Sequence, residues 1–156
     1  MKPFSRTACA LIGAIALLST QAMAQTWDAQ QTAVWEAVSM TWEIEQAEES
    51  SWIADMTTAN VSGWSTGNPA PRGRDSLRKW NKLQRANSET MAYELAPLSI
   101  AVSGSAAIAH YYYTDMSVDG DGKRETAHGY CSDTLVKQAD KWVYLGWNCG
   151  DIPAKK

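Results

Sequence analysis

Phenylalanine is nearly absent from this sequence, although other aromatic residues are plentiful. The chain has one Phe, Phe4 near the amino terminus, beside eight Trp and six Tyr. The large side chains of its core must therefore be mainly Trp and Tyr. These side chains bury apolar area but carry an N–H or O–H group that needs a hydrogen-bond partner. An aromatic core that contains hydrogen bonds is thus expected.

Several patterns tied to particular functions are also missing. The chain contains no G-x-S-x-G, no H-E-x-x-H, no phosphate loop and no dinucleotide fingerprint. The DGDG stretch at Asp119 to Gly122 lacks the later oxygen ligands of a calcium loop, so a turn is predicted there. With a formal net charge of −3, the chain has no charge pattern typical of nucleic-acid binding. We expect no metal, no cofactor and no nucleic-acid partner.

Long apolar segments are absent, with one short exception at the amino terminus. Residues 8–19 are almost wholly apolar; they follow Lys2 and Arg6 and precede the small residues Ala22 and Ala24. A run of about 12 residues is shorter than the ~20 that span a bilayer, and the layout is typical of a secretory signal peptide. We predict a signal in residues 1–24, cleaved after Ala24. Residues 25–156 then form one periplasmic or secreted domain with no membrane segment.

Cysteine is scarce, and the first of the three Cys lies in the predicted signal. The others, Cys131 and Cys149, are predicted to form a disulfide because an exported chain meets an oxidising compartment. A three-residue turn at 139–141 places them directly opposite each other on paired strands. A two-residue turn offsets them by one position. Two buried free thiols are the alternative.

Hydrophobic periodicity predicts three helices followed by four strands. Helical spacing covers 27–46, a short helix follows at 52–56, and a third helix opens near Asp75. Gly and Pro predict an irregular connection from Val61 to Gly73. The period then changes to two, and four antiparallel strands are predicted as a meander. Helices gathered at one end of a sheet indicate an α+β domain.

The first predicted hairpin sets which side chains point inward. With Gly104 and Ser105 at its turn, Leu98 faces Tyr111 across the strands. Tyr111 and Tyr113 then lie on the apolar inner face. Ile108, His110 and Tyr112 lie on the outer face.

Two segments resemble the NTF2-like superfamily, in its SnoaL-like (DUF4440) branch. In DTLVKQADKWVYLGW, residues 133–147, and SIAVSGSAAIAHYYY, residues 99–113, the order and spacing of key residues are similar to the last two hairpins of that family. Lys141 departs from the pattern, because a Gly usually stands there. The matching positions are Thr134, Val136, Asp140 and Trp142 in the former, and Ile100, Val102, Gly104 and Ala107 in the latter.

The resemblance implies an NTF2-like cone, in which three N-terminal helices pack in a strongly curved antiparallel sheet. It also implies an apolar pocket at the open end and pairing of two copies through the outer sheet face. A homodimer is therefore expected. Since this fold supports many chemistries, the resemblance leaves the function open.

Two functions are favoured on this basis, and a structural or interaction module that uses the cone only as a core is a third alternative. The first is binding of a small apolar or aromatic molecule, with the site lined by Tyr111, Tyr113, Trp42, Trp64 and Trp147. The alternative is a ketosteroid isomerase-like isomerase, dehydratase or hydrolase, in which Tyr111 or Tyr113 is the oxyanion donor. The candidate bases are Asp133, in which partial burial would raise the pKa, and His128, which is predicted to lie opposite Tyr113. A solvent-facing Asp133 and a structural His128 are the alternatives.

Overall fold

The computed structural model describes residues 26–47 and 52–153, which form three helices and six strands. The predicted α+β class and the three helices are confirmed. The predicted signal peptide lies outside the described residues. Within the described residues, no helix is long and apolar enough to cross a membrane. The elements are α1 (Ala29–Ala47), α2 (Trp52–Asp55), β1 (Thr57–Trp64), β2 (Arg72–Gly73), α3 (Arg74–Asn87), β3 (Ser88–Ser103), β4 (Ala106–Asp119), β5 (Arg124–Gln138) and β6 (Lys141–Asp151).

The strands form one long, curved sheet with the order β2-β1-β6-β5-β4-β3. Every neighbouring pair is antiparallel except β1 and β6, which run parallel. Helix α1 packs against β3, β4 and β6 on the inner side of the curve. The core between them includes Val34 and Val38 from the helix and Ala109 and Leu135 from the sheet, all fully buried.

The predicted four-strand antiparallel meander is wrong in one respect, because the sheet has two further strands, β1 and β2. Residues 61–64 belong to β1, although Gly63 indicated an irregular segment. That glycine has a packing reason, since a Cβ atom at this position would overlap the ring of Trp147. On the paired strand, a Cβ at Gly146 would lie 2.5 Å from the carbonyl oxygen of Ser62. Both glycines therefore permit the close approach of β1 and β6.

The β3–β4 hairpin keeps its predicted register near the turn and departs from it farther along. The turn is as predicted, but a bulge follows, and Pro97 rather than Leu98 pairs with Tyr111. Leu98 is consequently 44% exposed instead of lying on the apolar inner face. Proline has no N–H group for the strand ladder, so an irregularity beside it is expected.

The disulfide prediction is confirmed, but the predicted turn is wrong. Ala139 and Asp140 form a two-residue turn with positive φ angles of 45° and 68°, and Gln138 pairs with Lys141. The one-position offset is cancelled by an extra residue, Leu145, where the register shifts in β6. Cys131 and Cys149 are therefore directly paired, with their Cα atoms 4.2 Å apart and an S–S bond of 2.05 Å.

Candidate functional site

A buried carboxyl group, that of Asp133, lies at the centre of the inner sheet face. Its side chain is 2% exposed. The hydroxyl groups of Tyr111 and Tyr144 both donate to its Oδ2 atom, over 3.0 and 3.1 Å. Tyr111 comes from β4 and Tyr144 from β6, the two strands that flank Asp133 on β5. Each is a diagonal neighbour on the same face, at the distance that long side chains reach across a sheet. These three residues are called the buried triad below.

Burial controls the protonation of the triad. Burial raises the pKa of Asp133 to about 7, against the lowering effect of the two tyrosine hydroxyls. Burial, and then the Asp133 carboxylate, raise the pKa values of Tyr111 and Tyr144 well above their ordinary range. The tyrosines therefore keep their protons near neutral pH, whereas Asp133 changes its charge there. Protonated Asp133 carries an O–H donor in addition to acceptor lone pairs, whereas ionised Asp133 only accepts.

Helix α1 positions both tyrosines through consecutive residues. The indole N–H of Trp42 donates to the Tyr111 hydroxyl over 3.1 Å, and the Thr41 hydroxyl lies 3.3 Å from that of Tyr144. Trp35, two turns earlier, packs its ring edge against Tyr111 with the centroids 5.6 Å apart. The hydrogen bonds expected of a Trp- and Tyr-rich core thus converge on one carboxyl group.

Three half-exposed rings lie beside the triad and form the aromatic mouth, which we define as Trp42, Tyr93 and Tyr113. The centroid of Trp42 lies 5.7 Å from that of Tyr93 and 5.1 Å from that of Tyr113, and both pairs are tilted by 42°. Tyr113 lies across Gly129 on the next strand, where a Cβ atom would come within 2.5 Å of the ring. Because Trp42 also bonds Tyr111, the mouth and the triad share a side chain.

A second aromatic group borders the triad on the β6 side. The ring of Trp52 lies 5.3 Å from Tyr144 and 5.2 Å from Trp147. Trp147 donates its indole N–H to Ser65 over 3.0 Å, and Trp52 donates to the Glu45 carboxylate. The predicted site residue Trp147 therefore contacts the triad through Tyr144, at a centroid distance of 6.0 Å.

Two predicted site residues lie elsewhere. Trp64 is 44% exposed, and its indole N–H bonds the Asn68 carbonyl. The prediction that His128 faces Tyr113 is wrong, because Gly129 occupies that place and His128 pairs with Thr114. His128 is thereby exposed on the outer face, with its Nδ1 atom 3.0 Å from the Thr114 hydroxyl.

Tyr144 and Tyr93 were not predicted as site residues. Tyr144 lies two residues after Trp142, the spacing that puts two strand residues on the same face, so the sequence offered a signal for it. Tyr93 had no such signal, because register shifts interrupt β3 on both sides of it.

One group of potential metal ligands occurs among the described residues, namely Cys131, Asp133 and Cys149. Their ligand atoms lie within 4.8 Å of one another. The two sulfurs are bonded to each other, and a disulfide supplies no thiolate to a metal. The group is better described as a carboxyl group next to a disulfide.

Comparison with known proteins identifies the fold. No protein-family model and no curated protein matches the sequence. Among solved structures, a ketosteroid isomerase-like protein from Erwinia carotovora atroseptica superposes with a TM-score of 0.69 at 13% identity, covering 82% of this chain and 100% of its own. A conserved protein from Planctomyces limnophilus gives 0.73 at 11% identity, covering 81% and 98%. An NTF2-like protein of unknown function from Prochlorococcus gives 0.67 at 13% identity, covering 83% and 97%. The described chain thus has the NTF2-like cone fold.

Proposed function

We propose that this chain is an exported NTF2-like domain that binds a small aromatic or apolar molecule at the open end of its cone. The observation that carries the proposal is the aromatic mouth above a buried, hydrogen-bonded carboxyl group. Three half-exposed rings from α1, β3 and β4 offer stacking surface. Trp42 and Tyr113 of the predicted ligand site belong to this mouth, and Tyr111 lies in the triad beneath it. Apolar pockets with a few fixed polar groups are the usual form of small-molecule sites.

A matched pair of tyrosines on β4 tests the proposal. Tyr113 points inward to the mouth, whereas Tyr112 points outward and is exposed. Titration with a neutral planar probe, 2-naphthol, should give saturable heat in calorimetry and raise the melting temperature, since a ligand that binds only the native state stabilises it. Tyr113→Ala should weaken binding by about tenfold or more, as expected when a stacking ring is lost. Tyr112→Ala should leave it unchanged. Equal effects of the two changes would refute the site.

Enzymatic acid–base chemistry is a second candidate function, supported by the pKa of Asp133 at about 7. A carboxyl group with such a pKa is poised to exchange a proton at neutral pH, and Tyr111 is a neighbouring oxyanion donor. Asp133 is 2% exposed, however, so a substrate reaches it only if a side chain that covers it moves. A suitable assay follows the isomerisation of 3-cyclohexenone by ultraviolet absorbance. Loss of this activity in Asp133→Asn would support the enzymatic function. A wild-type protein with no activity above buffer would contradict that function for this class of ketone.

We also propose that two copies pair through the outer face of β4 and β5. The outward positions of these strands between Ala106 and Met116, and between Thr126 and Val136, carry no Asp, Glu, Lys or Arg. An uncharged sheet face of this kind is unusual for a surface in water. Its exposed large side chains are Ile108, Tyr112, Met116 and Tyr130.

Light scattering on the mature protein should give twice the chain mass. Tyr112→Lys should convert it to a monomer, because the charge would be buried at the interface. Met40→Lys, at an exposed site on α1, is the matched control and should remain dimeric. A wild-type monomer at high micromolar concentration would exclude the pairing.

A further inference from the structure

The aromatic mouth has an acidic residue built into it. Asp115 pairs directly with Tyr93 across β3 and β4, and it follows Tyr113 by two positions on the same face of β4. Both tyrosines pack against Trp42. One half-buried carboxyl group therefore lies alongside three half-exposed rings.

One oxygen of this carboxyl group lacks a partner among the described residues. Its Oδ1 atom is buried there and accepts no hydrogen bond. Within residues 26–47 and 52–153, Asp115 also takes part in no ion pair. Buried polar atoms in native proteins are nearly always hydrogen-bonded, and an exception points to a missing water, ion or ligand. Burial raises the pKa of Asp115, so a partner with a positive charge would stabilise its ionised form.

The surroundings of Asp115 are acidic as well. Glu45 and Asp115 repel each other, and Asp151 acts with Asp115 on the Tyr113 hydroxyl. The basic group acting on Glu45 is Arg85. The inward positions of β4 supply no positively charged side chain. They are Ala107, Ala109, Tyr111, Tyr113, Asp115 and Ser117.

We propose that the ligand of this site is an organic cation, a protonated amine with an aromatic or compact apolar body. Its charged nitrogen lies against Asp115 and the faces of Trp42, Tyr93 and Tyr113, and its apolar part packs on the same rings. Cations are attracted to the faces of Trp and Tyr, and a carboxylate adds a charge-assisted hydrogen bond. The inference rests on the proposed binding function and specifies the charge of the ligand.

Three probes of similar size and different charge test this inference. Phenethylamine is cationic at pH 7.5, 2-phenylethanol is neutral and phenylacetate is anionic. Calorimetry at low salt should show the amine binding about tenfold more tightly than the alcohol, as expected for one cation–π contact together with one charge pair. The anion should bind most weakly. Comparing the probes on the wild-type protein tests the charge preference without any substitution.

Asp115→Asn keeps the shape of the side chain and removes its charge. It should bring the amine-to-alcohol affinity ratio close to one, because the amine loses its charged partner. Asp140→Asn is the matched control, because it removes the same charge at the exposed β5–β6 turn, where the positive φ suits Asn. It should keep the tenfold preference, and melting curves verify that both variants fold.

The outcomes separate the inference from the function on which it rests. If the wild-type protein binds amine and alcohol equally well, the cationic ligand is refuted and the binding function stands. If the amine preference survives in Asp115→Asn, the charge is recognised elsewhere and the inference fails. If none of the three probes binds, both the inference and the binding function for this ligand size fail.

Discussion

Replacing Asp133 by Asn tests the chemistry of the buried triad most directly. Asn has nearly the same shape and keeps an oxygen that accepts from Tyr111 and Tyr144, but it carries no charge. In the native protein the pKa of Asp133 is about 7, compared with 3.8 as the ordinary value. Between these two values the native state holds a proton that the unfolded state has released. The free energy of unfolding therefore falls as pH rises through this window.

The size of the effect follows from the same shift. Each pKa unit corresponds to about 1.4 kcal/mol, so ionising Asp133 in the folded protein costs on the order of 4 kcal/mol once the pH exceeds 7. About 3 kcal/mol of this loss falls between pH 5 and pH 8. Asp133→Asn should abolish this part of the pH dependence, and the variant should be more stable than the wild-type protein at pH 8.

Urea unfolding at pH 5, 6, 7 and 8, with the disulfide intact, measures this difference. Asp140→Asn is again the control, because that side chain is exposed at a turn, and it should retain the wild-type profile. Parallel profiles for the wild type and Asp133→Asn between pH 5 and 8 would show that the folded protein does not hold Asp133 with a raised pKa. A wild-type stability that rises with pH and is flattened by Asp133→Asn would reverse the sign and refute the reasoning.

Three further changes probe neighbouring parts of the site. Tyr144→Phe removes a donor to ionised Asp133, so the Asp133 midpoint in a carboxyl NMR titration should rise above about 7; a lower midpoint would contradict the assigned hydrogen bond. The double change Cys131→Ser and Cys149→Ser opens a loop with a sequence separation of 18 and should lower the free energy of unfolding by about 3 kcal/mol. If the disulfide is present, unfolded, unreduced mature wild-type protein, which lacks Cys9, should show no alkylatable thiol, and two reactive thiols would exclude the bond. Gly63→Ala forces a methyl group against Trp147 and should cost about 1–3 kcal/mol in urea unfolding, so an unchanged midpoint would mean that β1 does not pack there as described.

The parts of the fold that the sequence predicts are those with a regular period. The alternation in β4 correctly placed Tyr111 and Tyr113 inside and His110 and Tyr112 outside. Asp133 was proposed as a partly buried carboxyl group with a raised pKa, with a solvent-facing side chain as the alternative, and the structure buries it. These side chains repeat every two residues without interruption, so a single register decides all of them.

The remaining parts were missed where one residue interrupts the period. Leu98 was misplaced because Pro97 introduces a bulge into β3. His128 was placed opposite Tyr113 by counting from a turn whose type the sequence leaves undefined. β1 was missed because Gly63 is typical of a loop, and only its contact with Trp147 explains a glycine in a strand. For β1 a long-range contact decides the conformation, and local spacing carries no record of that contact.

The bulge at Leu145 shows how much of the site depends on one such interruption. In an unbroken strand, Tyr144 and Trp147 are three residues apart and point to opposite faces. The extra residue brings both to the inner face, since Tyr144 pairs with Leu135 and Trp147 pairs with Asp133. It also returns Cys149 to the position opposite Cys131. The two-residue turn therefore sets Tyr144 opposite Leu135, and the bulge then completes the disulfide and places Trp147 beside Asp133. The predicted three-residue turn without a bulge gives the observed pairing beyond residue 145 and a pairing offset by one before it, which is why Cys149 was predicted correctly and Tyr144 was not.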